Sequence, residues 1–240
     1  MAGTLFVVAT PIGNLEDISA RAVRVLREAS VIAAEDTRHT GRLLQHFGIS
    51  TPTTSFHEHS EPGKAGTLLA RLRAGDSVAL VTDAGTPVVS DPGEPLVRMA
   101  HEAGIRVEPI PGPSAVVAAL SASGFGSGGF VFLGFPPNKG SARRAWFERL
   151  VAARSVVPVA IFYEAPHRIE ATLAELARLA GDPRVCVARE LTKAHEEILV
   201  GRVSELTLAQ VRGEFTVVVD LGQKTKHSPI SSEVAPADVA

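Results

Sequence analysis

Short apolar runs recur along the first half of the chain, and each is followed by a polar loop. An apolar run without polar alternation is typical of a strand that is buried on both faces. Between the runs, apolar residues recur at helical spacing, as they do over residues 18–29. This alternation predicts a parallel sheet covered by helices. The predicted strands lie at residues 5–9, 31–34, 78–81 and 107–110, with a weaker strand candidate at residues 53–56.

The second half of the chain repeats this alternation with more strands than helices. A short piece at residues 204–210 lies between the last two strands and allows them to pair antiparallel, which predicts a mixed sheet. The predicted strands cover residues 130–134, 157–162, 185–188, 198–203 and 215–221, and the predicted helices cover 142–153 and 169–180.

The expected fold class is therefore α/β, with two α/β domains. The N-terminal domain, residues 1–115, has a mostly parallel sheet, and the C-terminal domain, residues 116–222, has a mixed sheet. Residues 223–240 are polar and contain Pro and Ser, so they have little to bury, and we predict a disordered tail.

The loop at residues 82–93, TDAGTPVVSDPG, follows the most apolar of these strands. In open α/β sheets, ligands bind outside the carboxyl ends of such strands. Gly85 allows a ligand to approach the main chain closely, and Asp83 and Asp91 supply hydrogen-bond acceptors. The same residue types also occur in ordinary turns, so the loop alone leaves a binding site and a turn both open.

Composition narrows the classes of protein to consider. The chain has 240 residues, 45% of them hydrophobic, which is enough for a large core, and its net charge of −2 provides no global basic field. The single Cys186 cannot form an intramolecular disulfide, and we expect a reducing compartment. Neither a signal segment nor an apolar run of membrane-spanning length is present, which predicts a cytoplasmic protein without a membrane partner.

Two familiar motifs do not apply to this chain. Gly124, Gly126 and Gly129 match G-x-G-x-x-G, but they follow a helix and precede a strand, the reverse of the dinucleotide-binding arrangement. His57 and His59 lie two residues apart without further ligands at metal-binding spacing, so no metal site is predicted.

Six other motifs occur in order along the chain and carry a resemblance to a known family. They are TPIGNL at 10–15 with Asp17, AEDTR at 34–38, TDAGTPVVSDPG at 82–93, PGPSA at 111–115, FYEAPHR at 162–168 and ARELTK at 188–193. Together they resemble the ribosomal RNA small subunit methyltransferase I family, one of the tetrapyrrole-methylase-like (class III) methyltransferases. The resemblance covers residues 3–222.

This resemblance implies two α/β domains with S-adenosylmethionine bound between them. It also implies 2'-O-methylation of a cytidine ribose in the decoding region of small-subunit (16S) ribosomal RNA. The implied partners are that RNA or the assembled 30S subunit and, as a homodimer, a second copy of the chain.

The resemblance also implies where the cofactor binds. The position of Asp83, the first charged residue after the most apolar strand, is a second reason to predict that it binds the cofactor. The implied cofactor-binding residues are Pro11, Asp83, Gly85, Thr86, Pro87, Ser114, Ala115, Phe162, Tyr163 and Leu191.

Methyl transfer to a hydroxyl requires alignment, exclusion of water and a proton acceptor, and the loops at strand ends supply polar side chains for these tasks. A ribose hydroxyl is a very weak acid. A partly desolvated Lys193 with a lowered pKa, oriented by a carboxylate, is one candidate acceptor, and a phosphate-binding role for Lys193 is equally open. The predicted catalytic residues are Asn14, Glu35, His57, Lys193 and Glu196.

Basic residues around the loops predict contact with RNA. They are Arg38, Arg42, Lys64, Lys139, Arg143, Arg144 and Arg168. A tetrapyrrole or other small-molecule methyltransferase of the same fold is an alternative, although it would favour an aromatic-lined cleft and the chain has one Trp and one Tyr. A non-catalytic ribosome-binding module is a further alternative, which would keep the cofactor loops but need no base.

Overall fold

The computed structural model describes residues 2–57, 63–126 and 128–222, and the tail predicted at 223–240 lies outside these ranges. A parallel five-stranded sheet forms the first half, in the order β3-β2-β4-β1-β5. Its strands are β1 (Thr4–Val8), β2 (Val31–Ala34), β3 (Thr53–Ser55), β4 (Val78–Val81) and β5 (Arg106–Ile110). Its helices are α1 (Ala20–Glu28), α2 (Thr37–His46), α3 (Lys64–Arg73) and α4 (Glu94–Glu102).

A mixed five-stranded sheet forms the second half, in the order β6-β7-β10-β8-β9. Strands β6 and β7 pair parallel, and the other pairs are antiparallel. The strands are β6 (Phe130–Phe132), β7 (Val159–Glu164), β8 (Arg184–Arg189), β9 (Glu197–Arg202) and β10 (Phe215–Asp220). The helices are α5 (Ala115–Ser123), α6 (Gly140–Ala152) and α7 (Ile169–Ala180). The predicted fold class is confirmed.

The sheet is mixed as predicted, but the antiparallel pairing that the short connection allowed for the last two strands does not form. Strand β10 lies between β7 and β8, and β9 pairs only with β8 in the described sheet. Their burial explains the difference: β10 is buried along nearly its whole length, as a central strand is, whereas β9 alternates between half-buried and exposed residues, as an edge strand does.

Helix α5 packs against the second sheet, although it directly follows the last strand of the first. Its Val116 and Ala119 join a buried cluster with Ile161 and Val218 of that sheet, and Ile12 from the loop after β1 packs on the same cluster. Apolar contact therefore joins the two sheets near the start of α5. The domain boundary at residues 115/116 stays a prediction.

The larger core of the second half is built on aromatic side chains. Trp146 packs edge-on against Phe162, with 5.2 Å between ring centroids, and donates its Nε1–H to the Leu133 carbonyl at 3.0 Å. Phe162 is completely buried in this core. Because successive residues of a strand point to opposite faces, its neighbour Tyr163 faces the other way.

We expect Phe162→Ala to lower the free energy of unfolding by about 3–5 kcal/mol, since it leaves a large cavity in a packed core. Val156, which is 76% exposed, offers an apolar control. Val156→Ala should change the unfolding free energy by no more than about 0.5 kcal/mol. Urea denaturation measures both changes, and equal effects of the two substitutions would contradict this description of the core.

Candidate active site

The loops after β1 and β4 are fixed to each other at the carboxyl edge of the first sheet. The Thr10 N–H donates to the Gly85 carbonyl at 2.9 Å, and the Gly85 N–H donates back to the Thr10 carbonyl at 3.0 Å. The Thr10 hydroxyl also donates to the Thr82 carbonyl at 3.1 Å. Gly85 has φ +83°, a conformation that favours glycine. The two loops therefore form one paired unit where ligands bind in sheets of this kind.

The loop after β1 also touches the loop after β8 in the second sheet. A Cβ atom added to Gly13 would lie 2.4 Å from Cγ of Lys193 and 2.8 Å from Oγ1 of Thr192. These are distances that real Cβ atoms do not tolerate, so glycine is required for this close approach. Thr192 is itself strained, with φ +67°. Its buried hydroxyl has no hydrogen-bond partner among the described residues.

A cavity of about 390 Å³, called here the main cavity, opens between the two halves of the chain. Five carboxylates line it, and none of its lining residues within the described ranges is Lys, Arg or His. The carboxylates are Glu35, Asp83, Asp91, Glu164 and Glu214. Glu164 is paired with Arg168 and Glu214 with Lys193, so Glu35, Asp83 and Asp91 are the acids that favour a ligand with positive charge. Of the predicted cofactor residues, Asp83, Gly85, Thr86, Ser114, Ala115 and Tyr163 line this cavity.

Glu35 and Asp83 are held in place by short hydrogen bonds. The Thr82 hydroxyl and the Asp83 N–H both donate to the Glu35 carboxylate, at 2.6 and 3.2 Å. The Asp83 carboxylate in turn accepts the Asp36 N–H at 3.1 Å. Because these bonds connect the ends of β2 and β4, the carboxylates have defined positions at the edge of the sheet.

Burial alters the protonation of two of these carboxylates. Desolvation raises the pKa of Asp83 and outweighs the hydrogen bond from the Asp36 N–H. Desolvation, together with the charge of Glu35, raises the pKa of Asp91 to about 6. Both carboxylates thus hold a proton more readily than an ordinary surface Asp.

Aromatic rings form another wall of the main cavity. Tyr163 and Phe135 line it, with 5.3 Å between their ring centroids, and Phe135 is 52% exposed. Burial and the charge of Asp91 raise the pKa of Tyr163 to about 12, so the ring stays neutral. Phe135 and Glu214 had not been assigned from the sequence, because neither belongs to one of the six motifs.

The loop after β4 has backbone strain where it borders the main cavity. Val88 has φ +75° and Ser90 has φ +65°, values uncommon for residues other than glycine. Each such conformation costs about 1–3 kcal/mol and persists only where the surrounding structure enforces it. This strain accompanies the placement of Val89, Ser90 and Asp91 in the cavity lining.

A smaller cavity of about 160 Å³, called here the second cavity, adjoins the main one. Asp83 lines both cavities. Pro11, predicted as a cofactor residue, and Arg42, predicted as an RNA ligand, line the second cavity, together with His39, which had not been assigned.

Lys193 does not have the lowered pKa that a role as proton acceptor requires, and this part of the prediction is wrong. Its ammonium group pairs with Glu190 at 2.8 Å and with Glu214 at 2.7 Å. Burial acts to lower the pKa of Lys193, but the two hydrogen-bonded carboxylates outweigh it and raise the pKa. Lys193 therefore stays charged and neutralises two acids beside the main cavity.

Two of the predicted RNA-binding residues are used within the protein, and their assignment is corrected. Arg143, with 13% of its side chain exposed, pairs with Glu175 at 2.8 Å and donates to Thr172 at 2.9 Å. Arg168 pairs at 2.6 Å with the fully buried carboxylate of Glu164. Both guanidinium groups stabilise the second half of the chain and are not available to a nucleic acid.

The other predicted RNA-binding residues have different surroundings. Arg38 is exposed but pairs with Asp36 at 2.8 Å. Lys139 and Arg144 are exposed near the start of α6, whereas Lys64 at the start of α3 is half-buried. Of the predicted basic residues, only Arg42 lines one of the two cavities.

Several predicted site residues line neither cavity. Phe162 points into the core of the second half, so its side chain cannot contact a ligand in the cleft, and Pro87 is buried. Asn14 caps a 3-10 turn by accepting the Glu16 N–H at 3.1 Å. Leu191 and Glu214 line a third hollow of about 30 Å³. The Glu196 carboxylate accepts a hydrogen bond from the Thr192 N–H at 2.6 Å, and His57 is exposed.

Over residues 2–57, 63–126 and 128–222, no group of three or more His, Cys, Asp or Glu is arranged to hold a metal ion. Of the helices in these ranges, none combines the length and the apolar character that crossing a membrane requires.

Known proteins resemble this chain in both sequence and structure. The family described as Tetrapyrrole (Corrin/Porphyrin) Methylases matches residues 4–207. A Pseudomonas aeruginosa protein named ribosomal RNA small subunit methyltransferase I is 52% identical over 225 residues, covering 91% of this chain and 79% of its own. An Escherichia coli O157:H7 protein of the same name is 47% identical over 239 residues, covering 96% and 82%.

Solved structures share the fold at lower identity. The methyltransferase CobJ matches with a TM-score of 0.69 and 22% identity, over 91% of this chain and 94% of its own. A uroporphyrin-III-C-methyltransferase from Thermus thermophilus matches with a TM-score of 0.62 and 20% identity, over 91% and 94%.

The fold is shared with solved tetrapyrrole methyltransferases, and the chain belongs to the family of Tetrapyrrole (Corrin/Porphyrin) Methylases. Its resemblance to ribosomal RNA small subunit methyltransferase I, stated from six motifs, is confirmed by relatives of that name at about half identity.

We expect Asp91→Asn to increase the free energy of unfolding, and to do so more at pH 8 than at pH 4.5. In the folded chain the pKa of Asp91 is about 6, above the ordinary value of about 3.9 for an unfolded Asp. Since the folded state binds the proton more tightly, stability falls as the pH rises through this interval, and a neutral amide removes that loss.

Urea denaturation at the two pH values measures the effect. Glu148→Gln, at an exposed acid on α6 that lines neither cavity, is the control. An equal gain for Asp91→Asn at both pH values would show that desolvation of Asp91 does not reduce stability.

Proposed function

We propose that this protein transfers a methyl group from S-adenosylmethionine to the ribose 2'-hydroxyl of a cytidine in small-subunit ribosomal RNA. The observation that carries the proposal is the acid-lined main cavity, at the meeting point of the two sheets, in a chain about half identical to proteins named ribosomal RNA small subunit methyltransferase I. The RNA is methylated either free or within the assembled 30S subunit.

The lining of the main cavity fits this cofactor. S-adenosylmethionine supplies a methyl carbon made electrophilic by its bond to a positively charged sulfur. The carboxylates of Asp83 and Asp91 favour the sulfonium and ammonium charges, and no basic residue of the described lining opposes them. Phe135 and Tyr163 offer ring faces for the adenine. The volume of about 390 Å³ lies within the usual range for ligand sites.

This charge distribution also distinguishes the cofactor from its product. S-adenosylhomocysteine lacks the sulfonium charge, so the same carboxylates attract it less than they attract S-adenosylmethionine. The acidic lining thereby favours release of the product after transfer.

Asp83 is the residue best placed to take the proton from the acceptor hydroxyl. It lines both cavities, and its raised pKa makes it a stronger base than an ordinary carboxylate. As the hydroxyl oxygen gains the methyl group, its proton passes to the Asp83 carboxylate. The Glu35 carboxylate accepts hydrogen bonds from the Asp83 main-chain N–H and from the Thr82 hydroxyl. These two bonds orient the start of this loop.

Incubation of purified 30S subunits with labelled S-adenosylmethionine and the protein should place one methyl group on a cytidine ribose. Mass spectrometry of nuclease fragments locates the methyl group and separates ribose from base methylation. Label on a base, or transfer to a tetrapyrrole but not to the subunit, would contradict the proposal. Free 16S RNA in a parallel reaction tells which form is the substrate.

Single-turnover transfer should be slowed about 100-fold or more by Asp83→Asn, because the amide cannot accept the proton. The amide keeps an oxygen for the Asp36 N–H, so the loop geometry is retained. Lys193→Arg is the informative partner, since arginine preserves the charge beside Glu190 and Glu214 but cannot act as a base.

We expect a near-normal transfer rate for Lys193→Arg at saturating RNA and cofactor. The opposite result, with Lys193→Arg inactive and Asp83→Asn unaffected, would return the role of proton acceptor to Lys193. Calorimetric titration of the cofactor into each variant separates a slower reaction from weaker binding.

The homodimer and the cytoplasmic location stay predictions. Analytical ultracentrifugation of the full chain checks the first, and cell fractionation checks the second.

A further inference from the structure

The second cavity occupies a distinctive position between the loop after β1, the first turns of α2 and the end of β4. Its lining includes Pro11, Thr40 and Thr82, and Asp83 forms the wall that it shares with the main cavity. A ligand in one cavity therefore lies next to a ligand in the other, with the Asp83 carboxylate beside both.

The two cavities differ in their charged lining residues. Among the described residues, five carboxylates and no basic residue line the main cavity, whereas His39 and Arg42 line the second cavity with Asp83 as the one acid. The two cavities therefore suit two molecules of different charge, a cation in the first and an anion in the second.

Arg42 has a free guanidinium group within the part of the chain that the structure describes. It is exposed, and no hydrogen bond or ion pair to a described residue occupies it. Arg38, one turn earlier on α2, is held instead by two hydrogen bonds to the Asp36 carboxylate, at 3.2 and 2.8 Å. Arg42 thus keeps all its donors for a ligand, and a guanidinium group matches the oxygens of a phosphate in pairs.

The size of the second cavity indicates a part of a larger molecule. Its volume of about 160 Å³ falls below the range of about 300–1,000 Å³ that is usual for a whole ligand. One sugar ring with an adjoining phosphate, on a chain that continues across the surface, meets both the size and the charge.

We propose that the second cavity is the acceptor subsite, which takes one ribose-phosphate unit of an RNA strand with Arg42 as the phosphate ligand. The inference rests on the proposed function and adds to it the place where the acceptor binds. A ribose bound in the second cavity has its acceptor hydroxyl beside Asp83, next to the proposed cofactor site in the main cavity. A rival use of Arg42, as the ligand of the cofactor's carboxylate, is an outcome of the test.

The test compares Arg42→Ala with the wild-type chain in methylation of 30S subunits. Loss of one charge-assisted hydrogen bond to phosphate should raise the apparent KM for the subunit about tenfold, with kcat little changed. The slope of subunit affinity against salt concentration, both on logarithmic scales, should fall by about one unit, as expected for the loss of one phosphate contact. The Kd for S-adenosylmethionine should stay constant. Alanine is a strong helix former, so α2 is retained.

Arg178→Ala is the matched control, because Arg178 is an exposed arginine in the last turn of α7 and lines neither cavity. Arg42→Lys is a second variant, which keeps the charge without the paired donors and should give an intermediate KM.

Three results would overturn the subsite. In the first, Arg42→Ala weakens cofactor binding and leaves the KM for the subunit unchanged, which assigns Arg42 to the cofactor. In the second, Arg42→Ala behaves as Arg178→Ala does in every measurement. In the third, the wild-type chain methylates neither the subunit nor free 16S RNA, which overturns the proposed function and the subsite with it. The first two results leave the proposed function intact.

Discussion

The close approach of Gly13 to Thr192 and Lys193 is the constraint on which the site depends. It presses the loop after β1 against the second half of the chain, while the Thr10–Gly85 hydrogen bonds fix the same loop to the end of β4. Ile12, between these two attachments, packs on the buried cluster of the second sheet. One short loop thus joins both sheets, and the main cavity is the space that remains beside it. A larger side chain at Gly13 would separate the two halves at the cofactor site.

Acidic and basic side chains lie on different sides of this loop, next to different cavities. Carboxylates gather in the main cavity, where we propose that the cationic cofactor binds, and Lys193 neutralises Glu190 and Glu214 without entering the described lining of that cavity. Arg42 is placed on the far side of Asp83, in the second cavity. A positively charged donor and an anionic acceptor would each be attracted to its own side, and they would meet at the Asp83 carboxylate.

The sequence was sufficient for the fold class and for much of the lining of the main cavity, because both depend on local patterns. Uninterrupted apolar runs indicated the buried strands, and the Asp- and Gly-containing loop after β4 indicated the residues around Asp83. The strand order of the second sheet was not predictable from the connection at residues 204–210, since β10 pairs with strands far away in sequence.

The errors in the site have a similar cause. Lys193 was expected to have a lowered pKa, but Glu214, 21 residues later, folds back to pair with it. Arg143 and Arg168 were expected to bind RNA, but acids brought to them by folding, Glu175 and Glu164, occupy them. Phe162 shares a motif with Tyr163, and only the alternation of side chains along β7 separates a core residue from a cavity residue.

The measurement that tests the account most directly is a crystal structure of the full chain with S-adenosylmethionine bound. The account predicts density for the cofactor in the main cavity, with its sulfonium group facing the Asp83 and Asp91 carboxylates and the second cavity left open for the acceptor. Cofactor density in the second cavity against Arg42, or at a site formed by one half of the chain alone, would contradict it.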